Sequence, residues 1–207
     1  MRVLVVLTLG VLLMAGCSRH QNAPNAPAQQ LQEAATNAIS VLQKLINEQN
    51  YKSLGFESLD EVKQAQLGKP FRVYNIGLDK LKSYHAGQDP FSLLTQSSEI
   101  IYPVTVGGSV RTGIRIVHKE QGYEPSSFGN ADIVKRLSNY RQAEDEFVVR
   151  VPAFNMYFVG RRMETRLVLV PIVNDPRLKV EMGQPISLEV LINQLRPYVD
   201  AHNGLPM

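Results

Sequence analysis

His85, flanked by Asp79, Ser83 and Asp89, marks the one stretch of this 207-residue chain where acid, base and hydroxyl side chains crowd together. Such a set could move protons and activate water in a hydrolase, provided the groups come within hydrogen-bond reach of one another. A second constellation is cationic. Arg111, Arg115 and Lys119 fall on one stretch, and Arg150, Arg161, Arg162 and Arg166 on a later one. Gathered onto one sheet they would face an anionic partner such as teichoic acid, lipopolysaccharide, phospholipid headgroups or an acidic protein. The plainer reading is a solvated, charged sheet face that resists edge pairing, with Glu124, Glu144, Asp145, Glu146 and Glu164 close enough in sequence to neutralise it. The third reactive residue is Cys17, the only cysteine.

Other chemistries find no footing. The chain lacks a nucleophile elbow, a zinc-binding His-Glu pair at helical spacing, a dinucleotide glycine fingerprint and a phosphate loop. A lone cysteine allows neither an internal disulfide nor a cysteine-ligated zinc, and no metal or cofactor site is expected. His20 falls in a polar linker, His202 in the C-terminal tail, and His118 at the end of an apolar strand beside Lys119. The formal charge of +3 on a chain of this length gives no basis for nucleic-acid binding.

Arg2 followed by the apolar run Val3 to Met14 and the small residues Ala15 and Gly16 has the layout of a signal peptide. The run is too short to span a bilayer, which takes about 20 apolar residues, and it stops at Ser18-Arg19-His20. Leu13, Ala15, Gly16 and Cys17 resemble the lipobox of bacterial lipoprotein precursors, with Met14 where that family usually has leucine. The resemblance implies removal of residues 1–16, a diacylglyceryl group on the Cys17 thiol and acylation of the new amine. It also implies a position in the cell envelope. Because Ser18 is not the retention aspartate, that position is the outer membrane facing the periplasm where the source has two membranes, and the outer face of the plasma membrane otherwise. Several acyl chains hold firmly where one gives only marginal attachment, at about 0.8 kcal/mol per buried methylene.

The remaining elements must position whatever the protein presents. Residues 17–28, with a doubled Asn-Ala-Pro unit, read as a tether. Leu31, Ala34, Ala35, Ala38, Val41, Leu42, Leu45 and Ile46 recur at helical spacing and predict an amphipathic helix from Gln29 to Asn50 that packs on its own domain. Residues 29–97 hold this helix and a connecting region: a Ser58/Glu61 capping box, a strand at Phe71 to Ile76, and helical turns at Leu78 to Tyr84 before Asp89-Pro90.

A first hairpin-helix unit, 98–143, runs Ile100 to Val106, a Gly107-Gly108 turn, Val110 to Lys119, a short strand from Gly122, and a helix carrying Ile133, Val134, Leu137 and Tyr140. A second unit, 144–202, repeats the order. It reads as a strand at Phe147 to Val159, a turn at Gly160-Arg161-Arg162, strands at Glu164 to Val173 and Leu178 to Met182, and a helix with Leu188, Leu191, Ile192 and Leu195; 203–207 is a tail. Pro152 and Pro171 each remove a ladder donor and mark bulges or edges.

The expected fold is α+β: an antiparallel sheet of two strand-strand-strand-helix units, helices packed on one face, preceded by the long amphipathic helix. This element order resembles small PepSY-like and cystatin-like envelope modules that bind or inhibit peptidases. The expected function is a non-catalytic, membrane-anchored envelope lipoprotein that binds another envelope protein or an anionic wall or lipid component. The alternatives are an envelope hydrolase using the His85 neighbourhood and a peptidase-inhibitor-like module.

Overall fold

The computed structural model describes residues 26–201, so Cys17, the linker up to Asn25 and the tail from His202 lie outside the described residues. In chain order the described elements begin with α1 (Ala26–Leu45), α2 (Leu59–Lys63), β1 (Gln66–Leu67), β2 (Phe71–Ile76) and α3 (Leu78–Ser83). They continue with β3 (Leu94–Val106), β4 (Ser109–Lys119), β5 (Gly122–Gly129) and α4 (Ala131–Tyr140). The last are β6 (Phe147–Val151), β7 (Met156–Met163), β8 (Arg166–Pro171), β9 (Ile186–Ser187) and α5 (Leu188–Ala201). The fold is α+β, built on one nine-stranded, mostly antiparallel sheet in the order β5-β4-β3-β2-β6-β7-β8-β9, with β1 paired to β3.

α1 starts three residues earlier than its periodicity suggested, absorbing Pro27 and Ala28 from the expected tether. Proline is tolerated there because a first-turn N–H has no intrahelical partner. The helix also ends earlier, at Leu45, where Asn50 Nδ2 donates to the Leu45 carbonyl at 2.9 Å and Asn50 Oδ1 accepts from the Asn47 N–H at 2.8 Å. Ser58 caps α2 as its pattern implies, accepting from the Glu61 N–H at 3.3 Å.

Gly107 and Gly108 both take positive φ and close the β3–β4 hairpin. The second unit departs from expectation because Pro152 and Asn155 break the long strand in two. Pro152 opens a 3-10 turn through Phe154, Asn155 takes φ 51°, and the chain reverses so that Val151 pairs with Met156. Gly160 is therefore no turn residue. It sits mid-strand opposite Phe147, whose ring lies 2.6 Å from where a Cβ would stand. The turn falls instead at Glu164, φ 51°. The expected strand at Leu178 to Met182 is replaced by a 3-10 turn at Pro176–Leu178 and a single bridge between Asp175 and Val180.

The helices occupy both faces of the sheet rather than one. Alternate side chains of a strand point to opposite faces, and the central strands here bury side chains on both. Val149, Phe158, Leu167 and Leu169 bury against Leu191, Leu195 and Val199 of α5. Tyr102, Val104, Ile114 and Ile116 bury against Ala35, Ala38 and Leu42 of α1 and against Ile46 just past its end. The alternate positions Phe71, Val73, Ile101, Val148 and Val159 bury against Val134 and Leu137 of α4. Because Arg72 pairs with Ile100, the α1 and α5 layers share one face, and α4 alone covers the other. Gly113 lets α4 approach, since a Cβ there would stand 2.6 Å from Val134 Cγ2.

The strand that unites the molecule is β2. It pairs antiparallel with β3 and parallel with β6, joining two meanders into one sheet. No local sequence signal places this strand between the two units.

Candidate functional site

α1 roofs one half of its face and α5 the other, leaving a strip over β2 between them. Arg72, Tyr74 and Phe147 face this strip; Arg72 is exposed, and the two rings are half-buried. Strand alternation puts Phe71 and Val73 into the core under α4, which forces Arg72 and Tyr74 outward to the strip. The rings of Tyr74 and Phe147 meet edge to face, centroids 4.9 Å apart.

Two clefts meet at Arg72. The larger, about 500 Å³, is bounded by the β1–β2 connection at Lys69 and Pro70 and by the α4–β6 connection from Arg141 to Glu146. The second, about 310 Å³, runs over the irregular pairing of β3 past Gln96, Ser98 and Ile100 to His118 and Tyr123. The first volume falls in the range of small-molecule sites and the second at its lower end. His118 lies against Tyr123, ring centroids 4.7 Å apart.

The ionic groups around the clefts are mostly spent on one another. Arg141 stacks on the Phe71 ring at 4.4 Å and donates to the carbonyls of Lys69, Ala143 and Glu144 at 3.0, 3.1 and 2.6 Å. Burial pulls its guanidinium below the usual arginine range, against the opposing pull of Glu146 and Asp145. Lys69 pairs with Glu144. Glu146, whose carboxylate is 6% exposed, takes Arg161 at 2.6 Å and the Gln142 N–H at 2.7 Å. The Arg72 side chain has no ion-pair or hydrogen-bond partner among the described residues.

The expected basic constellation does not assemble as one face. Arg111 pairs with Glu57 and Glu61 at 2.6 and 2.5 Å, and Lys119 pairs with Glu124. Arg115 and Arg150 do converge, but on Glu99, at 3.7 and 2.6 Å. Arg161 is held by Glu146, and Arg162 stacks on Phe91 at 3.8 Å. Arg166 is exposed near the tip of the β7–β8 hairpin. The sheet face opposite α1, expected to be wet, is covered in part by α4.

His85, Asp79 and Asp89 are all exposed, and no hydrogen bond or ion pair joins them among the described residues. Asp89 accepts from the Phe91 N–H at 3.0 Å and so caps a 3-10 turn; Ser83 donates to the Lys80 carbonyl at 3.3 Å; the His85 N–H donates to Gln88 Oε1 at 3.1 Å. These are turn-forming roles. Among the described residues no group of three or more His, Cys, Asp or Glu side chains is placed to hold a metal ion, and no helix is long and apolar enough to cross a membrane. Cys17 lies outside the described residues.

Sequence reasoning passed over Arg72 and Tyr74. The alternation of Phe71 to Ile76 marks a strand with one polar side, but nothing local says that helices stop short of it. Compared with protein-family models, curated proteins and solved structures, the chain matches none.

Proposed function

We propose that this protein is a lipid-anchored envelope module that binds a ligand without transforming it, and that the strip over β2 is where it binds. In this reading acyl chains on Cys17 hold the protein at the outer membrane facing the periplasm, or at the outer face of a plasma membrane where there is no second one. The eight residues between Cys17 and Ala26 reach at most about 30 Å, which keeps the domain near the lipid surface. The ligand is an anionic component of the envelope, or an envelope protein offering a carboxylate. One observation carries the reading: among the described residues the Arg72 guanidinium has no ion-pair or hydrogen-bond partner and stands where two clefts meet, whereas Arg111, Arg115, Arg150, Arg161 and Arg177 are each paired with a carboxylate. That no hydrogen bond or ion pair joins His85 to Asp79 or Asp89 among the described residues favours binding over hydrolysis.

The test has two parts. Mass spectrometry of native material should find an acylated Cys17 at the mature N-terminus, and Cys17→Ser should move the protein out of the membrane pellet. A photo-crosslinker at position 74 should capture an envelope component that one at position 164, on the far hairpin, does not. Retention of Cys17→Ser in the pellet, or equal capture from both positions, would overturn the proposal.

A further inference from the structure

We infer that the paired clefts meeting at Arg72 take a short oligosaccharide that carries an isolated acidic group, carboxylate or phosphate. This rests on the binding-module reading and names its ligand.

Backbone recognition is closed to the ligand. β2 is hydrogen-bonded on both sides, to β3 and to β6, so the strip offers no strand edge for a peptide to extend. A ligand there is read by side chains alone. Those side chains are two aromatic stations with polar groups between them. At one end stands Tyr74, its ring fixed by Phe147; at the other stands His118 against Tyr123; Arg72, Gln96 and Ser98 lie between. The stations sit on β2 and on β4–β5, two to three strand spacings or about 10–14 Å apart. Sugar rings offer the matching chemistry, with C–H faces that lie on aromatic rings and hydroxyls that bond amides and hydroxyls.

The balance of charge narrows the class further. Glu144 is used by Lys69, Glu146 by Arg161 and Glu99 by Arg115 and Arg150, while the Arg141 donors go to carbonyls. What remains in the clefts, among the described residues, is the open guanidinium of Arg72 and the exposed carboxylate of Asp145 on the rim. The planar fork of Arg72 suits one carboxylate or phosphate held through two N–H donors. A densely charged polyanion would meet Asp145 and Glu144, so the acid groups must be sparse.

The experiment is calorimetric titration of the full lipidated protein in detergent against four probes. They are sialyllactose, a trisaccharide with a single carboxylate, a mannose trisaccharide with a single phosphate, neutral maltotriose and an acidic hexapeptide. Either acidic saccharide should bind at least tenfold more tightly than maltotriose, and the pair of acidic probes tells carboxylate from phosphate. Arg72→Ala should erase that tenfold advantage, and Arg72→Lys should restore part of it. Tyr74→Ala should weaken acidic and neutral saccharides alike by about tenfold. Arg166→Ala, which removes an exposed cation elsewhere, should change nothing, and equal melting temperatures confirm that the variants fold. No saccharide binding, an unaltered preference in Arg72→Ala, or tighter binding of the peptide would each overturn the inference. Capture of a protein by the crosslinker at position 74 would overturn it while leaving the binding-module proposal in place.

Discussion

Arg150 donates to Glu99 at 2.6 Å across β2, joining the first strand of one meander to the first strand of the other. Arg115 approaches the same carboxylate oxygen at 3.7 Å, and all three side chains are about three-quarters buried. One carboxylate thus compensates two guanidiniums at the seam where the half-sheets meet.

Glu99→Gln should therefore destabilise the protein by about 1–3 kcal/mol, because two partly desolvated cations lose their counter-charge together. A lower urea midpoint with an unchanged slope is the expected readout. Glu124→Gln, which breaks only the exposed pair with Lys119, should cost less than about 1 kcal/mol. Equal costs for the two variants would mean that the seam is held by β2 pairing alone.

The placement of α4 depends on Gly113. A Cβ there would stand 2.6 Å from Val134 Cγ2 and 3.1 Å from the Gly129 carbonyl oxygen. Gly113→Ala should cost about 1–3 kcal/mol by overpacking, with faster hydrogen exchange along α4. Gly77→Ala, where nothing lies within 4 Å of the new methyl group, serves as the control and should be nearly neutral.

Asp175 supplies an acid-sensitive contribution to stability. A side-chain hydrogen bond from Arg177 is the main cause that holds its carboxyl below the usual aspartate range, aided by the charge of Arg177 and by backbone N–H donors, while burial opposes them. A carboxyl depressed in the folded state adds stability that is fully present above the unfolded value of 3.8 and is lost as pH falls through the folded value. The gap in stability between wild type and Asp175→Asn should be largest at neutral pH and shrink below about pH 4. A gap that stays constant to pH 2 would show that the ionised form contributes nothing.

The exposed set around His85 should tolerate change. His85→Ala and Asp79→Ala should each alter stability by no more than about 0.5 kcal/mol, whereas Asp89→Ala, losing its bond to the Phe91 N–H, should cost about 1 kcal/mol. Complementation by the His85→Ala, Asp79→Ala double variant should be normal. Its failure, with folding intact, would restore the hydrolase reading.

Where local rules suffice, the reading of the sequence and the fold agree. The three- and four-residue spacing of Ala35, Ala38, Leu42 and Ile46 marks α1, Gly107-Gly108 marks the β3–β4 hairpin, and Val134 with Leu137 marks α4. Ser58 caps a helix for the same short-range reason. The two part where neighbouring signals compete. Pro152 and Asn155 break a strand whose apolar content looks continuous, and Gly160 makes room for a ring across the ladder rather than turning the chain.

By itself the sequence determined the helices α1, α4 and α5, the β3–β4 hairpin, the α+β class and the single cysteine with its lipobox-like surroundings, because each depends on residues within a few turns of one another. Only the tertiary structure decided that β2 lies between two meanders, that α4 takes the opposite face from α1 and α5, and that, among the described residues, the Arg72 side chain stands unpaired while Arg115 and Arg150 share Glu99. Val73 reaches its partner Val148 across 75 positions of the chain (148 − 73), and such a pairing is selected by the burial of whole faces, which no local pattern encodes.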